Sequence, residues 1–174
     1  LPYTDVEYSY QSQNNWGDLM ISYDGQSIVY DGIGNLAEYG NAMFQWDGRQ
    51  LTRYHYYQEI EYPYGDIYVD ERVVMYTYDA NGMRASKTYG DSLYWEYTWD
   101  GDKLIREKQY SIYSTPYLMK DTRYYYDAEG NPSAFRMFEF NSSGSITNDA
   151  TYYLVSNIQG DIVAIYDADG VEIY

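Results

Sequence analysis

The stretch YTYDANGMRASK, residues 76–87, decides the fold because it places a turn after a run of strand-forming residues. Val74, Tyr76 and Tyr78 occupy alternate positions, which is the period of a β-strand with one buried face. In Asp79-Ala80-Asn81-Gly82, the aspartate suits the first position of a type I turn, and the glycine suits the fourth position with positive φ. The stretch therefore predicts a β-hairpin whose short turn ends in a glycine bulge.

The same motif, an aromatic residue followed by Asp and then by Gly within one to three residues, recurs along the chain. The motifs are Tyr23-Asp24-Gly25, Tyr30-Asp31-Gly32, Trp46-Asp47-Gly48, Tyr78-Asp79-Ala80-Asn81-Gly82, Trp99-Asp100-Gly101, Tyr126-Asp127-Ala128-Glu129-Gly130 and Tyr166-Asp167-Ala168-Asp169-Gly170. Asn157-Ile158-Gln159-Gly160 is a degenerate further site, with Asn157 in the aspartate position. Loose repetition of this kind indicates an array of supersecondary units. The motif residues are interpreted as turn formers and not as catalytic groups.

The shorter form of the motif predicts a second kind of turn. In Trp46-Asp47-Gly48 and Trp99-Asp100-Gly101, the Asp-Gly pair suits the two central positions of a type I′ turn. Both forms of the motif would then connect antiparallel strands, with the aromatic residue ending one strand and the glycine permitting the chain to reverse.

The flanking segments agree with strands. Leu93, Trp95, Tyr97 and Trp99 alternate with more polar residues, which predicts one buried face and one mostly wet face. Residues 162–166 are apolar on both faces, which predicts a more buried strand. Residues 141–149 and 11–15 are polar and predict exposed loops. We expect an all-β fold in which antiparallel hairpins form a curved or spiralling sheet. Residues 1–174 would be one domain, a fragment of a longer chain.

The composition excludes several classes of protein. The chain has 174 residues, of which 45% are hydrophobic, and this content argues against disorder. It contains 27 Tyr, a residue that suits sheets with a wet face. The net charge of -16 disfavours nucleic acids and anionic membranes, and it favours basic partners. The absence of Cys excludes disulfides, and no apolar run is long enough to span a bilayer.

Few residues are candidates for chemistry. His55 is the single histidine, whereas a catalytic triad or a zinc site needs further ligands or partners. Glu59 and Glu61 share one face of an extended strand, but a solvated acidic face is the favoured interpretation over a glycosidase pair. The Asp-rich turns resemble calcium loops yet lack a distal glutamate at the required spacing. The sequence thus predicts no catalytic residue, no metal site and no cofactor.

The aromatic row Trp95, Tyr97 and Trp99 is the one candidate binding face. Exposed aromatic rings on a flat sheet could stack on sugars when they are contiguous. Packing against neighbouring strands is the favoured interpretation, because cross-strand aromatic pairs commonly stabilise sheets. The exposed edge strands of an isolated hairpin array could also pair between chains.

Several of these stretches together resemble the YD-repeat, or Rhs-repeat, family. YTYDANGMRASKTYG, TWDGDKLIREK, YYYDAEGNP and IVYDGIGNL are similar to its repeating unit, a strand ending Tyr-x-Tyr-Asp-x-x-Gly-Asn. YYLVSNIQGDIVAIYDADGVEIY, at residues 152–174, resembles the last repeats of bacterial members, especially of the Gram-positive wall-associated kind. The resemblance implies a β-hairpin ribbon that spirals into a hollow shell around a C-terminal toxin, in a secreted or cell-surface protein.

Three functions follow as hypotheses. The first is a structural scaffold without enzymatic activity, whose partners are its own C-terminal toxin or adjacent repeats. The alternative is a cell-surface binding or adhesion module that recognises glycan or protein through an aromatic sheet face. The third and least favoured is a glycosidase. The protease-like core that releases toxins in the family has no counterpart in these residues, so that activity is not carried over.

Overall fold

The computed structural model describes residues 6–10 and 19–174. These residues form fourteen β-strands, all antiparallel to the strands they pair with, and no helix is found among them. The predicted all-β, antiparallel fold is therefore confirmed. The described residues divide into two compact units, one that ends at Tyr76 and one that comprises residues 77–174. The predicted loop at residues 11–15 lies outside the described residues.

The first unit is a series of antiparallel strands in which each strand pairs with the next one along the chain. Its strands are β1 (Tyr8–Tyr10), β2 (Met20–Tyr23), β3 (Gln26–Tyr30), β4 (Leu36–Tyr39), β5 (Ala42–Asp47), β6 (Gln50–Glu61) and β7 (Ile67–Tyr78). The last residues of β7 belong to the second unit.

The second unit continues in the same manner, with consecutive strands paired from β8 onward. Its strands are β8 (Arg84–Tyr89), β9 (Leu93–Asp100), β10 (Lys103–Ser111), β11 (Tyr117–Tyr126), β12 (Pro132–Phe140), β13 (Ile146–Ser156) and β14 (Ile162–Tyr166). The loop predicted at residues 141–149 is wrong in its second half, where β13 begins at Ile146. Polar composition misled the prediction, since the segment combines a tight turn with the start of a strand.

Neither unit has a conventional hydrophobic core. Among the described residues, Val74 and Ala164 are the buried apolar residues, and no large side chain is fully buried. Val163 is 53% exposed, so the prediction that residues 162–166 form a more buried strand is wrong for that side chain. This burial pattern is that of a sheet without a covering layer, whereas most domains pack two layers together. Stability must come mainly from strand hydrogen bonds, turns and side-chain pairs along the sheet.

Aromatic pairs between strands supply part of this stability. The ring of Phe135 on β12 lies between Tyr152 on β13, at 4.9 Å between ring centroids, and Tyr124 on β11, at 6.2 Å. Such cross-strand pairs contribute roughly 0.2–1 kcal/mol each. The row of three rings therefore stabilises the pairing of three adjacent strands on one face of the sheet.

The turn after β7 has the predicted geometry. The Gly82 N–H donates to the Asp79 carbonyl oxygen at 3.0 Å, and the Asp79 N–H donates to the Met83 carbonyl oxygen at 2.9 Å. The Asp79 carboxylate accepts the N–H groups of Asn81 and Met83, both at 2.9 Å. Gly82 has a φ of 81°, so the glycine takes the bulge position of a type I turn.

Within the described residues, the same backbone hydrogen bonds recur in six further turns, and five of these also have a side-chain cap. Their first residues are Asp31, Tyr62, Asp127, Asn141, Asn157 and Asp167, and Tyr62 is the one without such a cap. The Asn157 turn confirms that asparagine can replace the aspartate. In the Asp31 turn, Gly34 takes the left-handed position with a φ of 85°, and Gly32 does not. The assignment of Gly32 as the turn glycine is therefore wrong, because the bulge falls three residues after the aspartate.

The Trp-Asp-Gly motifs form a different turn from the predicted one. Asp47 pairs with Gln50 in the strand register, which leaves Gly48 and Arg49 as the central residues. Gly48 has a φ of 57°, whereas Arg49 is not in the left-handed region. Positive φ at the first central position alone marks a type II′ turn. The type I′ prediction is wrong because the aspartate stays in the strand.

The second Trp-Asp-Gly motif forms the same type of turn, whereas a Tyr-Asp-Gly motif forms a different one. Asp100 pairs with Lys103, and Gly101 has a φ of 61°, as in the other type II′ turn. At the start of the chain, Asp24 and Gly25 both have positive φ, at 48° and 75°, between the paired residues Tyr23 and Gln26. That turn is type I′.

Replacing Gly34 by Ala tests the turn assignment. A side chain at positive φ costs roughly 1–2 kcal/mol, so Gly34→Ala should lower the free energy of unfolding in urea by about that amount. Gly32→Ala is the matched control, since it lies in the same turn, has ordinary φ and, like Gly34, has no atom within 4 Å of an added Cβ. Equal stability of the two variants would contradict the assignment.

Replacing Asp127 by Asn tests the electrostatic part of the turn. A hydrogen bond from the Asn131 backbone N–H, with further ones from the same turn, holds the pKa of Asp127 below its ordinary value. The charged Asp127 carboxylate therefore stabilises the fold fully above the pKa of aspartate in the unfolded chain, which is about 4. This stabilisation is lost as the pH falls through the lower pKa of Asp127 in the folded protein. The Asp127→Asn variant should stay folded at pH 7, because asparagine occupies the same turn position naturally at residue 157. On acidification the variant should lose less free energy of unfolding than the wild type.

The control for this acid titration is Asp102→Asn. The Asp102 side chain accepts no hydrogen bond in the part of the chain that the structure describes. Urea unfolding measured from pH 7 to pH 2 should show that Asp102→Asn loses as much stability as the wild type. An identical acid-induced loss in Asp127→Asn and the wild type would contradict the proposed role of the carboxylate.

Candidate functional site

The candidate aromatic residues do lie on one face of the second unit. In the strand register, Trp95 is opposite Lys87, Tyr97 is opposite Glu107, and Trp99 is opposite Leu104. Paired residues of adjacent antiparallel strands point to the same side of the sheet. We call the surface formed by Trp95, Tyr97, Trp99, Glu107 and Tyr124 the aromatic face. The predicted alternation of burial along β9 is seen only from Tyr97 to Asp100, because Tyr94 and Glu96 on the other face are half-buried as well, and no side chain of the strand is fully buried.

The indole N–H of Trp99 makes a hydrogen bond to the backbone of the neighbouring strand. Its indole N–H donates to the carbonyl oxygen of Arg84 at 2.7 Å. Trp46 makes the same contact in the first unit, to Leu36 at 2.7 Å. Both acceptors are the first residues of the strands that follow Asp-capped turns. The tryptophan of the Trp-Asp-Gly motif therefore ties one hairpin to the strand beside it, which is a structural role that sequence reasoning missed.

Trp95 contacts a positive charge of the chain itself. The Lys87 ammonium nitrogen lies 4.1 Å from the centroid of the Trp95 ring. This distance is well within the range of a cation–π interaction. On the aromatic face, the Trp95 ring therefore packs against the ammonium group of Lys87.

Glu107 is the acidic group of the aromatic face. It lies between Tyr97 and Thr122 in the register, is half-buried, and makes no hydrogen bond or salt bridge within the described ranges 6–10 and 19–174. Burial raises the pKa of the Glu107 carboxyl, an effect that the charges of Lys87 and Lys120 oppose. Burial and, secondarily, the Glu107 charge raise the pKa of Tyr124 to about 12.

A shallow depression of about 460 Å³ opens on this face. Tyr97, Trp99, Leu104 and Glu107 line it, together with the chain around residues 82–84. Sequence reasoning identified the two aromatic residues but not Glu107. The signal was weak, because Glu107 belongs to a strand that alternates charged residues on both faces, and its burial depends on which strands lie beside it.

The opposite face carries a row of three arginines. Arg106, Arg123 and Arg136 lie directly opposite one another on β10, β11 and β12. Asp121 is 3% exposed and accepts two hydrogen bonds from Arg106, at 2.7 and 2.6 Å, and one from Arg123 at 3.3 Å. Arg136 pairs with Asp149 at 2.7 Å. Each arginine therefore has an aspartate partner within the sheet, although Arg106 and Arg123 share one.

The buried carboxylate of Asp121 is held in its charged form. Burial pushes its pKa upward, but the hydrogen bonds and charges of Arg106 and Arg123 outweigh burial, and the pKa is lowered overall. Asp121 also reduces the repulsion between Arg106 and Arg123, since like charges directly opposite each other destabilise a sheet. This cluster is structural, and no rule of sequence spacing could have identified it.

The other candidates lie in the first unit. His55 Nε2 is 2.9 Å from Glu71 Oε1, and the Tyr57 hydroxyl donates to Glu59 Oε1 at 2.6 Å. Glu59 and Glu61 lie opposite Val69 and Ile67 and share one face of the hairpin. No group of three or more metal-ligating side chains occurs in the described portion of the chain, and none of its segments is a helix able to cross a membrane.

The chain has no match among protein-family models or among the curated proteins compared with it. The resemblance to YD repeats therefore rests on the sequence motifs alone.

Replacing Trp99 by Phe tests the role of the indole N–H. The change removes one hydrogen bond and should lower the free energy of unfolding by about 1 kcal/mol beyond any packing effect. Trp95→Phe is the matched control, because the Trp95 indole nitrogen makes no hydrogen bond in the described residues. Thermal and urea unfolding should show the larger loss in Trp99→Phe, and equal losses would contradict this role.

Proposed function

We propose that the chain is a non-catalytic scaffold segment of the YD-repeat kind, and that its hairpins form part of the wall of a shell around a C-terminal toxin. The observation that carries this proposal is the recurrence of one turn. Among the described residues, seven turns share the same pair of backbone hydrogen bonds, and within each unit consecutive strands pair in chain order. Such recurrence is typical of a repeat array.

The lack of a covering layer also supports a wall. A sheet that encloses a cargo needs one face toward the interior and one toward solvent, and it needs no core of its own. The half-exposed aromatic rows would then contact adjacent repeats or the enclosed chain. Exposed apolar area of this extent is unusual for an isolated monomer.

Bulges support a curved or spiralling sheet. Register shifts occur beside several turns, for example at Tyr30, Trp46, Tyr126 and Phe140. An extra residue in one strand bends that strand and increases its local twist. Repeated bulges near the strand ends would therefore give the ribbon its curvature.

The proposed partners and location follow from the same resemblance. The partners are the chain's own C-terminal toxin and adjacent repeats, and the protein would be secreted or held at the cell surface. A net charge of -16 would favour a basic cargo and keep the exterior soluble.

A binding or adhesion module is the second candidate function. It is favoured by one specific observation, which is that Trp95, Tyr97 and Trp99 lie side by side on a half-exposed face. Such a face fits a glycan ring or the surface of a protein partner.

The first experiment is the intact mass and peptide coverage of the full natural gene product. The scaffold proposal expects a protein much larger than 20.5 kDa, with further hairpin repeats and an unrelated C-terminal segment that resists protease while enclosed. A natural chain that stops at Tyr174 would overturn enclosure, because a few hairpins cannot surround a cargo. That result would place the binding module first.

A further inference from the structure

The sheet of the second unit has two different sides. The strand register places the aromatic face on one side, and this side continues across β11–β14 with mostly apolar residues. They are Phe135, Met137, Ala150, Tyr152, Leu154 and Ile165. We call the aromatic face together with these six residues the apolar side. An antiparallel sheet of this kind commonly packs one side against another layer and leaves the other side in water.

The opposite side is the one suited to water. It carries the row of three arginines with their two aspartate partners. Tyr125 and Tyr153 on this side are about half exposed, at 46% and 51%, but they lie beside that charged row. Removing several charges from water is costly even when the charges are paired. The apolar side is therefore the side that a second layer would cover.

The side chains of the apolar side already pack against one another. Thr122 lies between Glu107 and Met137 in the register and is 6% exposed, although the described strands contact only their neighbours in the sheet. The larger side chains around Thr122 must therefore enclose it. Side chains packed in this way form a continuous surface, and two such surfaces can pack face to face about 10 Å apart.

The size of the apolar side suits a stable dimer. Seven strands, β8–β14, form this sheet. At about 4.8 Å between strands and about 3.3 Å per residue, strands of roughly eight residues give a face of roughly 900 Å². A standard interface covers about 800 Å² on each partner. A second copy of the same face would therefore bury enough area for a specific complex.

The charges of the apolar side favour a second copy of the chain as the partner. The net charge of -16 makes two copies repel each other over most of their surfaces. On the apolar side, however, the register places two lysines and two glutamates, whose charges cancel: Lys87, Lys120, Glu107 and Glu139. A two-fold symmetric interface brings the same surface of both copies together. A neutral surface that holds both signs of charge can meet itself, whereas a strongly basic partner gains no net attraction there.

We propose that the apolar side is a dimerisation surface, on which the apolar side of a second copy packs as the other layer of a two-layer sheet sandwich. The two copies are related by a two-fold axis, and both arginine rows stay in water. The rings of the aromatic face are buried in the interface. This inference goes beyond the scaffold and binding functions proposed above and depends on neither of them.

Sedimentation equilibrium of the 174-residue chain tests the proposal. Interfaces of this area have dissociation constants of about micromolar or lower, so a sample at about 100 µM should have twice the monomer mass of 20.5 kDa. A monomer at this concentration would overturn the proposal and would indicate that a different partner covers the apolar side. That result would leave the scaffold proposal in place, because the scaffold is tested on the natural gene product and not by dimerisation.

Two variants at neighbouring residues of β13 identify the surface that is used. Ala150 lies on the apolar side, opposite Met137, and Thr151 lies on the other side, opposite Arg136. Ala150→Glu should raise the dissociation constant of the dimer at least about a hundredfold, because it places a charge inside an apolar interface. Thr151→Glu makes the same change of net charge and should change the constant less than about threefold.

Equal effects of these two variants would overturn the proposal in favour of general charge repulsion. A dimer that survives Ala150→Glu would also overturn it and would indicate pairing through an open sheet edge. Urea unfolding shows whether each variant is folded. Met137→Gln is a milder second variant, which keeps an unbranched side chain and should weaken the dimer about tenfold. An unchanged dissociation constant in folded Met137→Gln would contradict the proposed interface.

Discussion

The hydrogen bonds between the first side chain of a turn and the backbone N–H four residues later are the contacts on which the rest of the structure depends. In the Asp79 turn this distance is 2.9 Å, and the same contact recurs at Asn157. A slip of one residue would move every side chain of a strand to the other face. Since no second layer covers the strands in the described part of the chain, the turns are what fix the register.

The register in turn decides which side chains meet. It places Glu107 beside Tyr97 on the aromatic face and Asp121 beside Arg106 on the other. The two faces therefore differ in character although both are half-exposed. One face holds aromatic rings and the half-buried carboxylate of Glu107, and the other holds the salt bridges of the three arginines. This difference is why the aromatic face, and not the arginine row, is the surface on which a partner is proposed.

The fold was more predictable from the sequence than the candidate site. Asp79 and Gly82 carry a local conformational preference, so their turn could be read directly from the residues. The turn type at Trp46-Asp47-Gly48 could not, because an aspartate before glycine fits both a turn and the end of a strand. Glu107 was missed for a different reason. Its surroundings come from three strands, and no short stretch of sequence contains them.

The order of the strands has a consequence for how the chain is made. Within each unit every strand pairs with its neighbour in sequence, so the contacts are local and the cost in chain entropy for each new hairpin is small. Each hairpin can close as soon as its second strand leaves the ribosome. The strands of a unit can therefore form in chain order during synthesis, one turn after another.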